Sequence, residues 1–156
     1  MKFLQRCSDT AGLHIHLTVR PGTGGDSVAV IEGAHRRLAK ESGRPDFSEQ
    51  IVLLDADRIQ QDIRQGRDAR AAASRYGFKV ILQQPNLEGL LLRLCPGQER
   101  RHVAPEKALT ELRKHWPQYR KPPTAQELYE RFDLGDLRRV AQHDPAFREL
   151  LDILEL

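Results

Sequence analysis

Apolar side chains recur along the chain with two different periods, and these periods predict the order of strands and helices. Residues 13–19 alternate strictly between apolar and polar side chains, which is typical of a strand. Residues 51–54 are an apolar run of the kind found in strands buried on both faces of a parallel sheet, and residues 78–82 predict a further strand. Helical periodicity occupies the stretches from about 27 to 42 and from about 59 to 76. The pattern predicts an α/β fold with a small, mainly parallel sheet of three or more strands, flanked by helices.

The last third of the chain reads as helical. Pro105 and Pro145 each stand at the start of a helical pattern, and Thr124 opens a capping box. We therefore expect residues 104–156 to form a helical extension that packs on an α/β core of residues 1–103.

Length and composition limit the class of protein. The chain has 156 residues, of which 39% are hydrophobic and 30% are charged, as expected for one globular domain. No apolar run approaches the ~20 residues that span a bilayer, and the amino end lacks the apolar region of a secretory signal. Cys7 and Cys95 lie far apart, which argues against a disulfide framework and favours the cytoplasm.

Positive charge is concentrated in one part of the chain. The net charge is only +3, but residues 93–121 contain eight Lys or Arg residues against three Glu. Such an excess can meet the phosphates of a nucleic acid, and the alternative is a solvated helix face. The side chains expected to contact phosphate are Arg58, Arg100, Arg101, Arg120 and Lys121.

Two carboxylates, Asp55 and Asp57, come directly after the apolar run 51–54. On an extended chain this spacing puts both side chains on one side, close enough to share a cation. Oxygen ligands without a cysteine or histidine cluster favour Mg²⁺ or Mn²⁺; the pair His14 and His16 is more simply explained as solvated. The alternative for the Asp pair is a capped turn between a strand and a helix.

The carboxyl ends of parallel strands gather at one edge of a sheet, where open α/β sheets bind ligands. Segments 22–26, 55–58 and 83–88 should therefore meet. Glu88 in the last segment is either a third acidic ligand or a first-turn residue stabilised by the dipole of a helix that Asn86 caps.

Three stretches resemble the RloB-like, AbiLii-type proteins, whose core is related to the Toprim fold. Asp55-Ala56-Asp57-Arg58 is similar to the D-x-D segment of that family. The stretch 85–90 is similar to its Pro-x-Phe-Glu-x-Trp element, with Leu87 and Leu90 at the two aromatic positions. The stretch 116–121 is similar to a Tyr-x-Lys element that follows a helix.

The resemblance implies a Toprim-like fold and divalent-metal-dependent hydrolysis of phosphodiesters. It places Mg²⁺ or Mn²⁺ at Asp55 and Asp57, with Glu88 as a further ligand. Glu88 and Lys121 would be the catalytic residues. It also implies a role in defence against phage, with an ATPase as partner protein.

This chain differs from the family pattern mainly at the amino end. The family pattern begins with a strand that ends in Glu-Gly, and that Glu is thought to act in proton transfer. Either that element is missing, or Glu32-Gly33 is its displaced equivalent. We favour the first because Glu32 lies in a helical pattern. A missing strand would leave an open sheet edge, through which a second copy or a partner could add.

Two alternative functions follow. The same fold could bind nucleic acid or a partner protein without catalysis. A phosphatase with an Asp nucleophile is disfavoured, because Arg58 follows the second Asp where Thr or Val is usual.

Overall fold

The computed structural model describes residues 2–13, 18, 25–40 and 47–156. This part of the chain contains two strands, β1 (Ile51–Asp55) and β2 (Lys79–Gln83). Its helices are α1 (Lys2–Thr10), α2 (Ser27–Lys40), α3 (Ala56–Arg64), α4 (Ala69–Tyr76), α5 (Leu87–Leu94), α6 (Pro105–His115), α7 (Ala125–Arg131), α8 (Leu134–Ala141) and α9 (Pro145–Ile153).

The strands β1 and β2 run parallel, with Ile51 opposite Lys79 and Asp55 opposite Gln83. The α/β class and the parallel pairing are confirmed. The expectation of three or more strands is wrong for the described residues, which form a two-stranded sheet. The segment predicted as a further strand, 13–19, lies outside them apart from Leu13 and Thr18.

The two faces of the sheet belong to two different apolar cores. Ile51 and Leu53 pack against the larger core, and Val52 and Leu54 belong to the smaller one. This alternation follows from the two-residue period of a strand. The larger core also takes side chains from α1, α5, α6, α8 and α9, and the smaller core from α2, α3 and α4. Asp55 continues the face of Leu53 and so lies on the side of the larger core.

The single helix predicted from about 59 to 76 is two helices, α3 and α4. Gly66 adopts a left-handed conformation with φ of 75° between them. Asp68 then caps α4, its side chain accepting a hydrogen bond from the amide of Ala71 at 3.0 Å. Turn geometry and a new cap therefore interrupt a helical pattern. Gly77 ends α4 in the left-handed conformation.

The helical extension and the α/β part of the chain share the larger core, in which Leu92 of α5 and Leu112 of α6 are fully buried. Pro105, Thr124 and Pro145 stand at the helix starts where they were expected, and the capping box of Thr124 is present. None of the described helices has both the length and the apolar character needed to cross a bilayer.

One buried ion pair joins α5 to the start of α9. Arg93 is 1% exposed, and its Nη2 donates to Asp144 Oδ2 at 2.6 Å and to the carbonyl of Gln84 at 3.2 Å. Asp144 also caps α9 by accepting a hydrogen bond from the amide of Phe147 at 3.0 Å. Removing one partner of such a pair leaves an uncompensated buried charge.

We expect Asp144→Ala to lower the free energy of unfolding by about 3–5 kcal/mol, because it leaves the Arg93 guanidinium buried without its carboxylate partner. The matched control is Asp68→Ala, which removes the exposed cap of α4 and should cost only about 1 kcal/mol. Urea denaturation measures both. Equal losses in the two variants would show that the ion pair adds nothing beyond the cap.

Candidate active site at the carboxyl edge of the sheet

Asp55 is the last residue of β1 and is held by the start of α5. Its Oδ1 accepts a hydrogen bond from the amide of Leu87 at 3.0 Å. The amide of Asp57 donates to the carbonyl of Pro85 at 3.1 Å. Segments 55–58 and 83–88 therefore meet at the carboxyl edge, as the parallel-sheet prediction requires.

The turn into α5 depends on local chemistry. Asn86 caps the helix, its Oδ1 accepting a hydrogen bond from the amide of Gly89 at 3.1 Å. A Cβ at Gly89 would collide with the ring of Pro85, so only glycine fits there without a shift of the loop. This cap places Glu88 in the first turn of α5.

Glu88 is 3% exposed although it is charged. Its Oε1 accepts a hydrogen bond from the hydroxyl of Tyr119 at 3.1 Å and lies 2.9 Å from Lys121 Nζ. The Lys121 side chain is 62% exposed, so its charged end sits at the surface. The structure thus brings the segment 116–121 to the same edge as the strand ends.

The negative charges at this edge act on one another. Burial raises the pKa of Asp55, and the charges of Asp57 and Glu88 raise it further. The hydrogen bond from Leu87 and the charge of Lys121 oppose this rise. The pKa of Tyr119 is also raised, by burial first and then by Glu88, so its hydroxyl stays a hydrogen-bond donor. Perturbed carboxylates of this kind are concentrated at functional sites.

Asp57 is not in the extended conformation that the spacing argument assumed. Strand β1 ends at Asp55 and helix α3 begins at Ala56, so Asp57 lies in the first turn of a helix. Its Oδ1 accepts a hydrogen bond from the amide of Arg58 at 2.7 Å. This backbone is the strand-to-helix turn of the alternative, but Asp55 at the N-cap position of α3 makes no side-chain capping hydrogen bond.

The proposed ligands can be tested against this geometry. Within the described ranges, no group of three or more His, Cys, Asp or Glu side chains is placed to hold a metal ion. The set Asp55, Asp57 and Glu88 is therefore not preassembled, because Glu88 is held by Tyr119 and Lys121. Oδ2 of Asp55 and Oδ2 of Asp57 each lack a hydrogen-bond partner in the described part of the chain. Carboxylate oxygens are the donor type that Mg²⁺ takes, one or two at a time, together with several waters.

The third predicted segment, 22–26, is described only from Gly25 onward. Arg58 donates through Nη2 to the carbonyl of Gly25, which ties the start of α2 to α3. The amide of Ser27 at that helix start donates to Asp62 Oδ2 at 2.7 Å. A buried carboxylate of the chain itself thus faces the first turn of α2.

Glu32 lies inside α2, and its carboxylate is 3.7 Å from Arg36 in an exposed ion pair. The alternative that Glu32-Gly33 ends a displaced strand is therefore wrong. His14 and His16 lie outside the described residues.

Carboxylates of the same chain neutralise part of the positive charge in segment 93–121. Arg101 and Lys114 both pair with Glu111. Arg100 is exposed and makes only a 3.4 Å contact with His143, and Arg120 is exposed without an ion pair in the described residues. The expected phosphate contacts therefore divide into paired side chains, Arg101 and Lys121, and exposed side chains that form no ion pair within the described ranges, Arg58, Arg100 and Arg120.

Tyr119 is the site residue that the sequence reasoning did not select. It is 2% exposed and donates its hydroxyl to Glu88. The available signal was its place two residues before Lys121, in the stretch similar to a Tyr-x-Lys element.

Comparison with protein-family models, with curated proteins and with solved structures finds no match to this chain. The resemblance to Toprim-related proteins therefore stays a prediction.

We expect Asp55→Asn to stabilise the protein at neutral pH. The raised pKa means that the folded state loses stability as pH rises through the pKa of Asp55, and asparagine keeps the acceptor for Leu87 while removing that charge. The gain should vanish below about pH 4, the ordinary pKa of an aspartate. Thermal denaturation between pH 3 and 8 measures it.

The matched control is Asp152→Asn at an exposed position of α9, which should change the free energy of unfolding by less than about 0.5 kcal/mol. A loss of stability in Asp55→Asn at pH 7, or a gain that persists at pH 3, would contradict the proposed charge repulsion.

Proposed function

We propose that the protein hydrolyses phosphodiester bonds in nucleic acid with the help of Mg²⁺ or Mn²⁺, and that it acts in defence against phage. The proposal is supported chiefly by one observation. Asp55, Glu88 and Lys121 come from three separate segments and lie together at the carboxyl edge of the parallel strands. Ligand sites of open α/β sheets lie at this edge.

In this proposal, Asp55 and Asp57 bind the metal through the carboxylate oxygens that lack partners in the described residues. Mg²⁺ commonly takes one or two carboxylates and leaves its other positions to water and phosphate. When bound, the ion would polarise the phosphodiester and stabilise the leaving oxygen. Its positive charge would also relieve the repulsion that raises the pKa of Asp55.

Lys121 and Glu88 have complementary roles in this proposal. Lys121 is close to Glu88 but largely exposed, so its ammonium group can turn to a substrate phosphate. Glu88 then remains hydrogen-bonded to Tyr119 and can accept a proton or complete the ligand set. Burial around Glu88 and Tyr119 strengthens each of these electrostatic interactions.

The second candidate is a module that binds nucleic acid without catalysis. Two observations favour it. Glu32 lies inside helix α2, so it does not replace the Glu that ends the first strand in the family pattern. Glu88 is paired with Lys121, which neutralises its charge. Arg100 and Arg120 would then hold the backbone of the nucleic acid.

We expect the wild-type chain to nick supercoiled plasmid in the presence of Mn²⁺ or Mg²⁺. Asp55→Asn and Asp57→Asn should each lower the rate by on the order of a hundredfold or more, as for loss of one preorganised electrostatic group. Both variants should also lose Mn²⁺ binding, measured by calorimetry. Lys121→Met should lose activity but keep Mn²⁺ binding.

Asp152→Asn serves again as the control and should keep full activity, since it lies on the exposed side of α9. Nicking that survives chelation of the metal, or that persists in purified Asp55→Asn, would reject the catalytic proposal.

The binding candidate makes a separate prediction. In EDTA, Arg100→Gln and Arg120→Gln should each weaken binding to DNA or RNA and lower the slope of log K against log salt by about 1. Arg101→Gln should have a smaller effect, because Arg101 already pairs with Glu111. Fluorescence anisotropy at several salt concentrations measures all three. Equal effects of the three variants, or binding that needs metal, would exclude this candidate.

A further inference from the structure

A groove of about 550 Å³ runs beside strand β2. Helices α4 and α9 form its two walls, and they belong to the cores on opposite faces of the sheet. Alternate residues of the strand form its floor. The groove is lined by Phe78, Val80 and Leu82 of the strand region, Arg70 and Ser74 of α4, and Glu149 of α9.

Only alternate residues of β2 form backbone hydrogen bonds with β1. The amide of Lys79 donates to the carbonyl of Gln50 at 2.8 Å, so Lys79, Ile81 and Gln83 direct their backbone groups toward β1. Val80 and Leu82 therefore direct their N–H and C=O groups to the other side. None of these four groups has a partner within the described part of the chain. Unpaired edge groups of this kind accept an added strand.

The walls of the groove carry opposite charges. Arg70 on α4 and Glu149 on α9 are both exposed, and neither forms an ion pair in the described ranges. A segment with one acidic and one basic side chain would complement them. The half-buried side chains of Val80 and Leu82 would contact apolar residues at alternate positions of that segment.

We propose that this groove receives an extended peptide segment of a partner protein, which pairs with β2 as a third strand. A single added strand would pair with the open backbone edge of β2, which lies between the two helical walls. A second copy of the chain fits less well, because its own α4 and α9 would meet the same helices. The recognition chemistry is therefore a main-chain ladder, alternate apolar side chains and one charge of each sign.

The test uses a synthetic peptide of alternating valine and threonine with one glutamate and one lysine. Residue-resolved amide exchange by NMR should show that the peptide slows exchange at Val80 and Leu82, while Ile81 and Gln83 are unchanged. The matched control is the same peptide N-methylated at the amides that would face β2. It should bind at least about tenfold more weakly, because it cannot donate the ladder hydrogen bonds.

Two variants of α4 test whether the peptide binds in the groove. Ser74→Trp fills the groove from an exposed helical position and should abolish binding. Ala71→Trp places the same bulk at an exposed position outside the lining, and it should bind the peptide as the wild type does. Circular dichroism checks that both variants fold, and the N-methylated peptide tests the proposal without any variant.

Several results would overturn the proposal. One is unchanged exchange at Val80 and Leu82 with the peptide present, and another is equal binding of the N-methylated analogue. Strong protection of the two amides in the dilute free chain would show that the chain itself fills the groove. A dimer in sedimentation that Ser74→Trp dissociates would assign the groove to a second copy.

Discussion

The hydrogen bond from the Leu87 amide to Asp55 Oδ1 is the contact on which the arrangement of the sheet edge depends. It joins the first residue of α5 to the last residue of β1. The first amides of a helix lack intrahelical partners and carry a partial positive charge, so a carboxylate there is stabilised. Burial and the charges of Asp57 and Glu88 act against it. At Asp55, the hydrogen bond from Leu87 and the charge of Lys121 therefore act against burial and two neighbouring negative charges.

The loop between β2 and α5 is fixed from two sides. The carbonyl of Pro85 accepts a hydrogen bond from the Asp57 amide at the start of α3, and the carbonyl of Gln84 accepts one from Arg93 of α5. Arg93 also pairs with Asp144 at the start of α9. The helical extension is thus connected to this loop through the Arg93 side chain. This explains how residues more than fifty positions apart can act on the same short loop.

The two sides of strand β2 have different properties. Its carboxyl end belongs to a charged site built from side chains, and its edge belongs to a groove built from backbone groups between two helices. We propose an ion and phosphates as ligands of the first arrangement and an extended chain as the ligand of the second. A small sheet between two helical layers can present both the charged site and the groove. Its strands have only five residues, so the carboxyl end of β2 lies close to the edge of β2.

The sequence by itself determined the features that depend on neighbouring residues. The two parallel strands, the cap at Asn86, the left-handed Gly77 and the helix starts at Pro105 and Pro145 follow from local patterns. The meeting of segments 55–58 and 83–88 also followed, because parallel strands end at a common edge.

Only the tertiary structure decided the break between α3 and α4 and the helical conformation of Asp57, since turn geometry overrode the apolar period there. It also decided which charges pair. Arg93 with Asp144, Tyr119 with Glu88 and Arg101 with Glu111 join distant segments, and such choices depend on where each side chain lies in space. Composition and spacing along the chain do not determine that position.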